Sequence, residues 1–345
     1  MNRYARAILS TILFLAFIIL HGCGGGGGAA SGEQTPVSRS FSGESFALVV
    51  LPDTQMYSHL YPEIFTAQTQ WITKNVEALN IAYVLHEGDI VNIPGPSTQQ
   101  WERAAASMNV LDGVVPYAFV PGNHDYDDEG ATRAASMYNR FFPFEKFRNT
   151  PTFGGAYIDG NMDNTFHLFR AGGTDWLILC LEFGPRNEVL QWAGQIADKY
   201  PARRIIVLTH AYLYYNNSLH GSDLAQASLP SKMGIGAQPG GANNGQEMWS
   251  KFISQHRNIQ FVFSGHTAGD GVGRRIDFGK SGNSIFQIVA NFQYRDNGGD
   301  GYLRIILFDP SKGKASVKTY SPWLNKEIVD SDNQFELNGV DFGAP

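Results

Sequence analysis

The chain has 345 residues, of which 43% are hydrophobic and 17% are charged, and its formal net charge is −6. This length accommodates one large domain or two of ordinary size, with a substantial hydrophobic core. The acidic balance excludes a protein that holds nucleic acid through an overall basic field, so an anionic partner requires a local source of positive charge.

The N-terminal segment has the pattern of an export signal. Arg3 and Arg6 precede an apolar run over residues 7–20. This run is short for a membrane span and fits the hydrophobic region of a signal peptide. We therefore predict a signal peptide over residues 1–22.

A cysteine follows this segment in the sequence LHGC, which ends at Cys23. The sequence resembles the bacterial lipobox, with His21 as an unusual filler. This interpretation predicts a lipidated Cys23 that anchors the exported protein in the bacterial cell envelope, facing the periplasm or at the surface. The alternative is an ordinary signal peptide that is cleaved near Gly22.

Composition divides the rest of the chain into three parts. Residues 23–45 are rich in Gly and Ser and predict a flexible tether, residues 46–330 predict one folded domain, and residues 331–345 predict a C-terminal tail. Cys180 lies in the apolar run WLILCLEF and is interpreted as a small buried hydrophobic residue. With Cys23 used as an anchor, no intrachain disulfide is expected.

The folded part alternates short apolar runs with longer amphipathic stretches, which is typical of α/β layering. Helices are predicted over residues 62–79, 101–111, 187–200 and 246–256. Five of the apolar runs end in Asp, Asn, Gln or His: Asp53 and Gln55 after FALVVLP, Asp89 and Asn92 around the end of AYVLHEG, Asn123 and His124 after AFVPG, His210 after RIIVLT, and His266 after IQFVFSG.

These polar residues are weak signals one by one, because Asp and His after a strand are common turn and loop residues. Their recurrence at five strand ends is the stronger observation. The carboxyl ends of such strands form the edge of a sheet where ligands usually bind. Carboxylate, imidazole and amide ligands together suit Mn, Fe or Zn rather than a thiolate site.

The order of these motifs resembles the calcineurin-like metallophosphoesterase superfamily. Its general pattern is DxH, GDxxD, GNHD or GNHE, a later His, and GHxH. The chain has DTQ at 53–55, GDIVN at 88–92, GNHD at 122–125, His210 in LTHAY, and GHTA at 265–268. The sequence also resembles a branch of the superfamily found in secreted bacterial proteins, in which DTQ replaces DxH.

The resemblance implies roles for individual residues. Asp89 would bridge two divalent cations, with Asn123, His210 and His266 completing one metal site. Asp53 and Gln55 would bind the other cation. His124 would contact the phosphate and protonate the leaving oxygen rather than bind metal. The implied substrate is a phosphate ester, and two adjacent cations would bind the phosphoryl oxygens.

Three positions depart from the family pattern. Gln55 stands in place of a His, Ala268 in place of the second His of GHxH, and Asn92 in place of an Asp that could orient His124. We therefore expect one tight and one weak metal site, with Mn, Fe, Zn or Mg as the bound ions and oxygen-preferring Mn²⁺ or Mg²⁺ favoured at the weak one. Asp270 could fill the weak site, and a mononuclear enzyme is the alternative.

Several other residues are candidates near the site. Asp125, the last residue of GNHD, is expected beside the metal ligands, as is Asn92. Tyr212 opens a long Gly- and Asn-rich segment over 212–244 that either shapes the substrate cleft or faces solvent. Asn291, Gln293, Tyr294 and Arg295 end another apolar run and could line the same edge, although the default interpretation is a strand that simply ends in polar residues. Four histidines are interpreted as surface or packing residues: His59, His167, His220 and His256.

The predicted fold is a four-layer α/β/β/α sandwich of two mixed sheets. The second sheet is expected to use NTFHLFRAGG, TDWLILCLEF, the FQIVANFQ run and GYLRIILFDP, with a hairpin turning at Gly172 and Gly173. The first functional hypothesis is a membrane-anchored, extracytoplasmic enzyme that hydrolyses phosphomonoesters or phosphodiesters. The second is a surface binding protein on the same fold that has lost catalysis. A nuclease fits poorly with the acidic balance, so no binding to nucleic acid is expected.

Overall fold

The structure is a computed structural model that describes residues 44–95 and 97–343. The predicted signal peptide, the lipobox with Cys23 and all but the last two residues of the predicted tether lie outside the described residues. Within the described part, no helix combines the length and the apolar composition that crossing a bilayer requires.

The strands, in chain order, are β1 (Phe46–Leu51), β2 (Ile81–His86), β3 (Tyr117–Phe119), β4 (Phe153–Ala156), β5 (Thr165–Ala171), β6 (Thr174–Leu181), β7 (Arg204–Thr209), β8 (Ile259–Ser264), β9 (Val272–Phe278), β10 (Ser284–Ala290), β11 (Leu303–Asp309), β12 (Lys314–Ser321), β13 (Lys326–Ile328) and β14 (Phe335–Asn338). The α-helices are α1 (Gln55–Leu60), α2 (Pro62–Asn75), α3 (Gln99–Met108), α4 (Ser136–Phe141), α5 (Phe144–Phe147), α6 (Asn187–Lys199) and α7 (Gly245–Lys251).

The strands form two mixed sheets of seven strands each. The first has the order β13-β12-β11-β1-β2-β3, with β14 also paired to β12, and the second has the order β4-β5-β6-β7-β8-β10-β9. In the first sheet β1, β2 and β3 run parallel, and in the second β6, β7, β8 and β10 do. The five strand ends singled out in the sequence are thus divided between the two sheets.

Alternation along β1 shows how the layers pack. Ala47, Val49 and Leu51 lie in a hydrophobic cluster with residues of α2 and α3, whereas Phe46, Leu48 and Val50 lie in a cluster shared with the second sheet. Successive side chains of a strand point to opposite faces, so β1 is buried on both. A third cluster joins the outer face of the second sheet to α6 and α7. This confirms the four-layer α/β/β/α fold.

The strand over GYLRIILFDP was assigned to the wrong sheet by the sequence interpretation. β11 pairs antiparallel with β1 in the first sheet. Leu303 and Ile305 pack on the helical side, and Ile306 and Phe308 pack between the sheets. Because both faces of this strand are buried, its composition fits either sheet and does not identify its neighbours.

Two further segments differ in detail from the sequence interpretation. The helix predicted over 246–256 stops after α7 because Phe252 has non-helical dihedrals, and a short 3₁₀ turn follows at Ile253–Gln255. Of the residues predicted as a C-terminal tail, Phe335–Asn338 form β14 and pair with β12. This segment is therefore part of the first sheet.

The predicted hairpin is confirmed. β5 and β6 pair antiparallel from Thr165 and Cys180 to Ala171 and Thr174. Gly172 and Gly173, which form the two-residue turn, have φ of 59° and 78°, the left-handed conformation that such turns require.

Candidate metal centre

The two sheets bring their polar strand ends together at one edge of the sandwich. Asp89 follows β2, His210 follows β7 directly and His266 follows β8. The Oδ1 of Asp89 lies 3.3 Å from the Nε2 of His210, which lies 3.1 Å from the Nδ1 of His266. One ligand atom from each of these three residues falls within 4.8 Å of the others. They form a cluster of the size that a single cation requires.

Asp53 joins this cluster from the end of β1. Its Oδ2 accepts hydrogen bonds from the backbone N–H of His266 at 3.2 Å and from the Nδ2 of Asn291 at 2.8 Å. The end of β1 in the first sheet is thereby attached to the ends of β8 and β10 in the second. This contact across the two sheets brings Asp53 beside the other ligand candidates.

Hydrogen bonds to backbone carbonyls determine the tautomers of the two imidazoles. The Nδ1 of His210 lies 2.8 Å from the carbonyl oxygen of Glu87, and the Nε2 of His266 lies 2.9 Å from that of Ser228. A carbonyl oxygen only accepts, so these nitrogens carry the protons. The two nitrogens that face each other are then both lone-pair atoms, unless a proton or a cation lies between them.

Two amide oxygens at the same cavity are buried without a partner. They are the Oδ1 of Asn123 and the Oε1 of Gln55. A buried carbonyl oxygen without a hydrogen bond is unfavourable unless something else binds it. Together with two imidazole lone pairs and two carboxylates, these oxygens form a donor set that fits Mn, Fe, Zn or Mg. The residues present therefore fit a divalent metal centre.

Electrostatics of the cluster lead to the same conclusion. Burial alone would lower the pKa of His210, but the carboxylates of Asp89 and Asp53 outweigh it and raise that pKa to about 9. Burial and the neighbouring His210 lower the pKa of His266 to about 3. Burial would raise the pKa of Asp89, but His210 and the other imidazoles hold it below its usual value. A proton on His210 thus takes the position that suits a cation, and metal binding would displace it.

His124 lies beside these ligand candidates. Its backbone N–H donates to the Oδ1 of Asp89 at 3.0 Å, and its Nδ1 lies 2.8 Å from the backbone carbonyl of Asn92. Its Nδ1 therefore carries a proton and its Nε2 is left for the cavity. Asn92 stands where the family pattern has an Asp that could orient His124. Its side-chain amide contacts the Nδ1 of His59 at 3.1 Å, and its backbone carbonyl orients His124.

Asp125 supports the turn that carries Asp89. Its carboxylate accepts hydrogen bonds from the backbone N–H groups of Ile90 at 2.9 Å, Val91 at 3.1 Å and Gly122 at 2.8 Å. A Cβ on Gly122 would lie 2.1 Å from the Oδ1 of Asp89, so only glycine allows the two segments to approach this closely. Asp125 is thus close to the ligands, as expected, and braces them from within the protein.

Two predicted residues lie away from the cavity. Asp270 is exposed, and its Oδ1 accepts the backbone N–H of Val272 within its own turn. The hydroxyl of Tyr212 is buried and donates to the Oε1 of Gln287 at 2.7 Å. Asp270 follows the chain outward after GHTA, and Tyr212 packs on the outer face of the second sheet, so neither lines the cavity.

Residues after β10 contact Asp53 and Gln55, the two side chains that the family resemblance assigns to the second cation. Asn291 donates to Asp53, and its own Oδ1 accepts the backbone N–H of Gln293 at 3.0 Å. The Oε1 of Gln293 accepts a hydrogen bond from the Nε2 of Gln55. This contact holds the amino side of the Gln55 amide and leaves its oxygen unpaired. Gln293 therefore positions Gln55 as a ligand candidate.

The segment over 212–244 contributes residues that the sequence interpretation did not identify. Ser228, with φ of 55°, supplies the carbonyl that orients His266. His220, interpreted as a surface or packing residue, is buried with its ring 5.6 Å from that of His266 and donates from Nε2 to the carbonyl of Ala227 at 3.0 Å. The length of the segment was the signal for a role at the cleft, although it did not indicate which residues reach it.

The resulting cavity has a volume of about 280 Å³. Its walls are formed by Gln55, Met56, Asp89, Asn92, Asn123, His124, Ser228, His266, Gln293 and Tyr294. Met56 and Tyr294 are the apolar and the aromatic residue among these described lining residues. The other lining residues are the ligand candidates, His124 and neutral polar groups.

Comparison with known sequences identifies relatives. A family model described as "Calcineurin-like phosphoesterase" matches residues 46–270. The "Uncharacterized protein YvnB" of Bacillus subtilis (strain 168) is 30% identical over 298 residues, which is 84% of this chain and 21% of the relative. The chain therefore spans about a fifth of the length of this curated relative.

Comparison with solved structures gives the same architecture. A purple acid phosphatase from yellow lupin (Lupinus luteus) seeds superposes with a TM-score of 0.53 at 14% identity, covering 86% of this chain and 54% of that one. A dimetal phosphatase from Danio rerio superposes with a TM-score of 0.51 at 11% identity, covering 85% of this chain and 98% of that one. At these identities the likeness concerns the fold.

Proposed function

The chain belongs to the calcineurin-like phosphoesterase family, and on this basis we propose that it hydrolyses phosphate esters in a metal-dependent reaction. The observation that carries the proposal is the pair of facing imidazole nitrogens of His210 and His266, 3.1 Å apart, each with its N–H held by a carbonyl. This arrangement supports a role in binding a cation rather than in packing.

The side chains would divide between two cation positions. Asp89, Asn123, His210 and His266 would hold the first, and Asp53 and Gln55 would hold the second with Asp89 shared. Bound divalent cations would supply Lewis acidity to the phosphoryl oxygens and lower the pKa of water toward neutrality. The second position has weaker ligands, since Ala268 offers none, and Mn²⁺ or Mg²⁺ suits its oxygen donors best.

His124 would serve the leaving group. The backbone carbonyl of Asn92 accepts the Nδ1–H of His124. In the imidazolium form, the second proton of His124 is on Nε2 and faces the cavity. Water loses one proton to solvent as its oxygen adds to phosphorus, the bond from phosphorus to the ester oxygen breaks, and the Nε2–H proton goes to that oxygen. Solvent then returns a proton to His124. General acid help of this kind typically contributes ~10²–10⁴-fold to the rate.

Purified chain stripped of metal and reloaded with Mn²⁺ tests this proposal. We expect hydrolysis of an aryl phosphate or a bis-aryl phosphate, loss of activity on chelation, and loss of both activity and bound metal in Asp89→Asn. His256→Ala, whose ring contacts Asp198 and Phe252 on the far side of the second sheet, is the matched control and should retain both. An absence of turnover with Mn, Fe, Zn and Mg alike would contradict the proposal.

The alternative is a binding protein on the same fold with weakened catalysis. The specific observation in its favour is that Ala268 cannot coordinate and that Asp270 is exposed instead of replacing it. This alternative predicts no turnover with any of the four metals, while metal binding by the first set of ligands persists.

We also propose that the protein is exported and anchored in the cell envelope through a lipid on Cys23. The support is the N-terminal sequence, with its basic start, its apolar run and LHGC. Metabolic labelling with a radioactive fatty acid should label the wild-type protein and not Cys23→Ser. Labelling of neither, with export intact, would favour an ordinary signal peptide cleaved near Gly22.

A further inference from the structure

Among the described residues, those that line the cavity of the candidate metal centre include few ionisable groups. Among the described residues that line it, the ionisable groups are Asp89, His124, His266 and Tyr294, and none is a lysine or an arginine. Asn92, Ser228 and Gln293 add neutral polar surface. Positive charge for an anionic substrate must therefore come from bound metal and from His124.

Nearby arginines are engaged elsewhere. The guanidinium of Arg295, next to Tyr294, packs over the rings of Phe292 at 5.8 Å and Tyr302 at 5.6 Å. Arg103 donates to the backbone carbonyls of Ser58 and His59 at 3.2 and 2.7 Å.

Arg133 is held in the same manner. It lies 3.3 Å from the Oε1 of Glu182 and donates to the carbonyl of Gly184 at 2.8 Å. Releasing any of these three arginines toward the cavity would break contacts that their guanidinium groups already make. None of them is poised to bind a phosphate.

The net positive charge of the metal centre limits how much negative charge on a substrate the centre can neutralise. The carboxylates of Asp53 and Asp89 together offset the charge of one divalent cation, and the second cation position is the one with the weaker ligands. A phosphomonoester carries nearly two negative charges at neutral pH, because its second pKa is about 6. A phosphodiester carries one negative charge, because a second carbon substituent is attached to an oxygen that is charged in the monoester.

The rim of the cavity suits such a substituent. Met56 and Tyr294 line the cavity, and the Tyr294 side chain is 67% exposed. Exposed aromatic rings beside a polar centre provide contact surface for an apolar or aromatic ester group.

We infer that the site prefers phosphodiesters with an apolar or aromatic alcohol over phosphomonoesters; this inference rests on the proposed function. Water loses one proton to solvent as it adds to phosphorus, one ester bond breaks, and one alcohol leaves with the proton of His124. The second ester bond stays intact, so the product is a phosphomonoester. Without a cationic side chain to retain it, this product leaves without further hydrolysis.

Steady-state kinetics on the Mn²⁺-loaded full chain test the inference. We expect kcat/KM for bis(4-nitrophenyl) phosphate to exceed that for 4-nitrophenyl phosphate by at least about tenfold. Met56→Arg should shift this ratio toward the monoester by a similar factor, since it adds a cation to the wall. Phe278→Arg, which adds the same charge on the exposed edge strand β9, is the matched control and should leave the ratio unchanged. Tyr294→Arg repeats the test should Met56→Arg fail to fold.

Tyr294→Ala separates the aromatic contact from the charge effect. We expect a severalfold rise in KM for the bis-aryl substrate with a smaller change in kcat, whereas Phe278→Ala, 70% exposed on the edge strand β9, should change neither. Equal or better use of the monoester by the wild type would overturn the inference and leave the proposed function intact. Turnover of neither substrate with any of the four metals would contradict both the inference and the proposed function.

Discussion

The Nε2 of His210 and the Nδ1 of His266 face each other at 3.1 Å, and each ring donates its N–H to a backbone carbonyl. These carbonyls belong to Glu87, after β2, and to Ser228, in the segment over 212–244. Two lone pairs so placed repel each other until a proton or a cation comes between them. A cation that binds between them would remove this repulsion, which is the basis of the first prediction.

Metal binding should stabilise the folded protein. A ligand at a hundred times its Kd contributes about 2.7 kcal/mol to the free energy of unfolding, which corresponds to a rise in Tm of roughly 4 °C for a domain of about 300 residues. Differential scanning fluorimetry with and without Mn²⁺ measures it. The rise should vanish in His266→Ala and persist in His256→Ala, and a rise of equal size in both variants would place the metal elsewhere.

Replacement of His124 by alanine should slow the reaction without removing the metal. We expect kcat to fall by ~10²–10⁴-fold, with the larger loss for esters whose alcohols have a high pKa, because poor leaving groups depend most on the proton. Metal content by elemental analysis should equal that of the wild type. A loss independent of the leaving group would show that His124 acts in another way.

Gln293 should affect the second cation through Gln55. Gln293→Leu removes the acceptor that holds the Gln55 amino group, and the loss of such a supporting contact typically weakens metal affinity by roughly 10–100-fold. Titration calorimetry with Mn²⁺ should show a weaker second event and an unchanged first one. Gln99→Leu, exposed at the start of α3, is the control. An unchanged second event would mean that Gln55 is oriented without Gln293.

Restoring an imidazole at position 268 should have the opposite effect. Ala268→His adds a nitrogen ligand where the family pattern has one, and we expect the affinity for the second cation to rise on the order of tenfold. Ala268→Ser controls for the added volume. Elemental analysis after dialysis should then find closer to two ions per chain than in the wild type, and an unchanged metal content would show that position 268 does not reach the centre.

His167 should make the protein sensitive to acid. Burial among Tyr83 and Phe153 lowers the pKa of His167 to about 3, against about 6.5 in the unfolded chain. Between these values the unfolded state binds more protons, so the stabilisation is complete above pH 6.5 and is lost as the pH falls toward 3. His167→Phe should lose less unfolding free energy between pH 7 and pH 4 than the wild type in urea titrations. Equal losses in both proteins would show that other groups determine the acid sensitivity.

The sequence was sufficient for much of the fold. Apolar runs such as β1 and β8, and the glycine pair between β5 and β6, are local signals, because burial and turn geometry act on neighbouring residues. The same local signals placed Asp53, Asp89, Asn123, His210 and His266 at strand ends, and the structure brings them to one edge. The sheet to which a strand belongs was harder to predict from the sequence. β11 is buried on both faces, and its partner β1 lies far away in the chain.

The amino-acid sequence by itself determined the four layers, the strand ends and the residue types that suit a cation. The tertiary structure decided which other groups contact these residues. Asn291 and Gln293, and not Asp270, contact Asp53 and Gln55. The backbone carbonyl of Asn92 contacts His124, and the carbonyl of Ser228, and not Tyr212, contacts His266. The contacts of Asn291 with Asp53 and of Gln293 with Gln55 each span 238 residues. Such contacts leave no local pattern, because hydrogen bonds between distant segments depend on how the two sheets pack and not on the periodicity of either one.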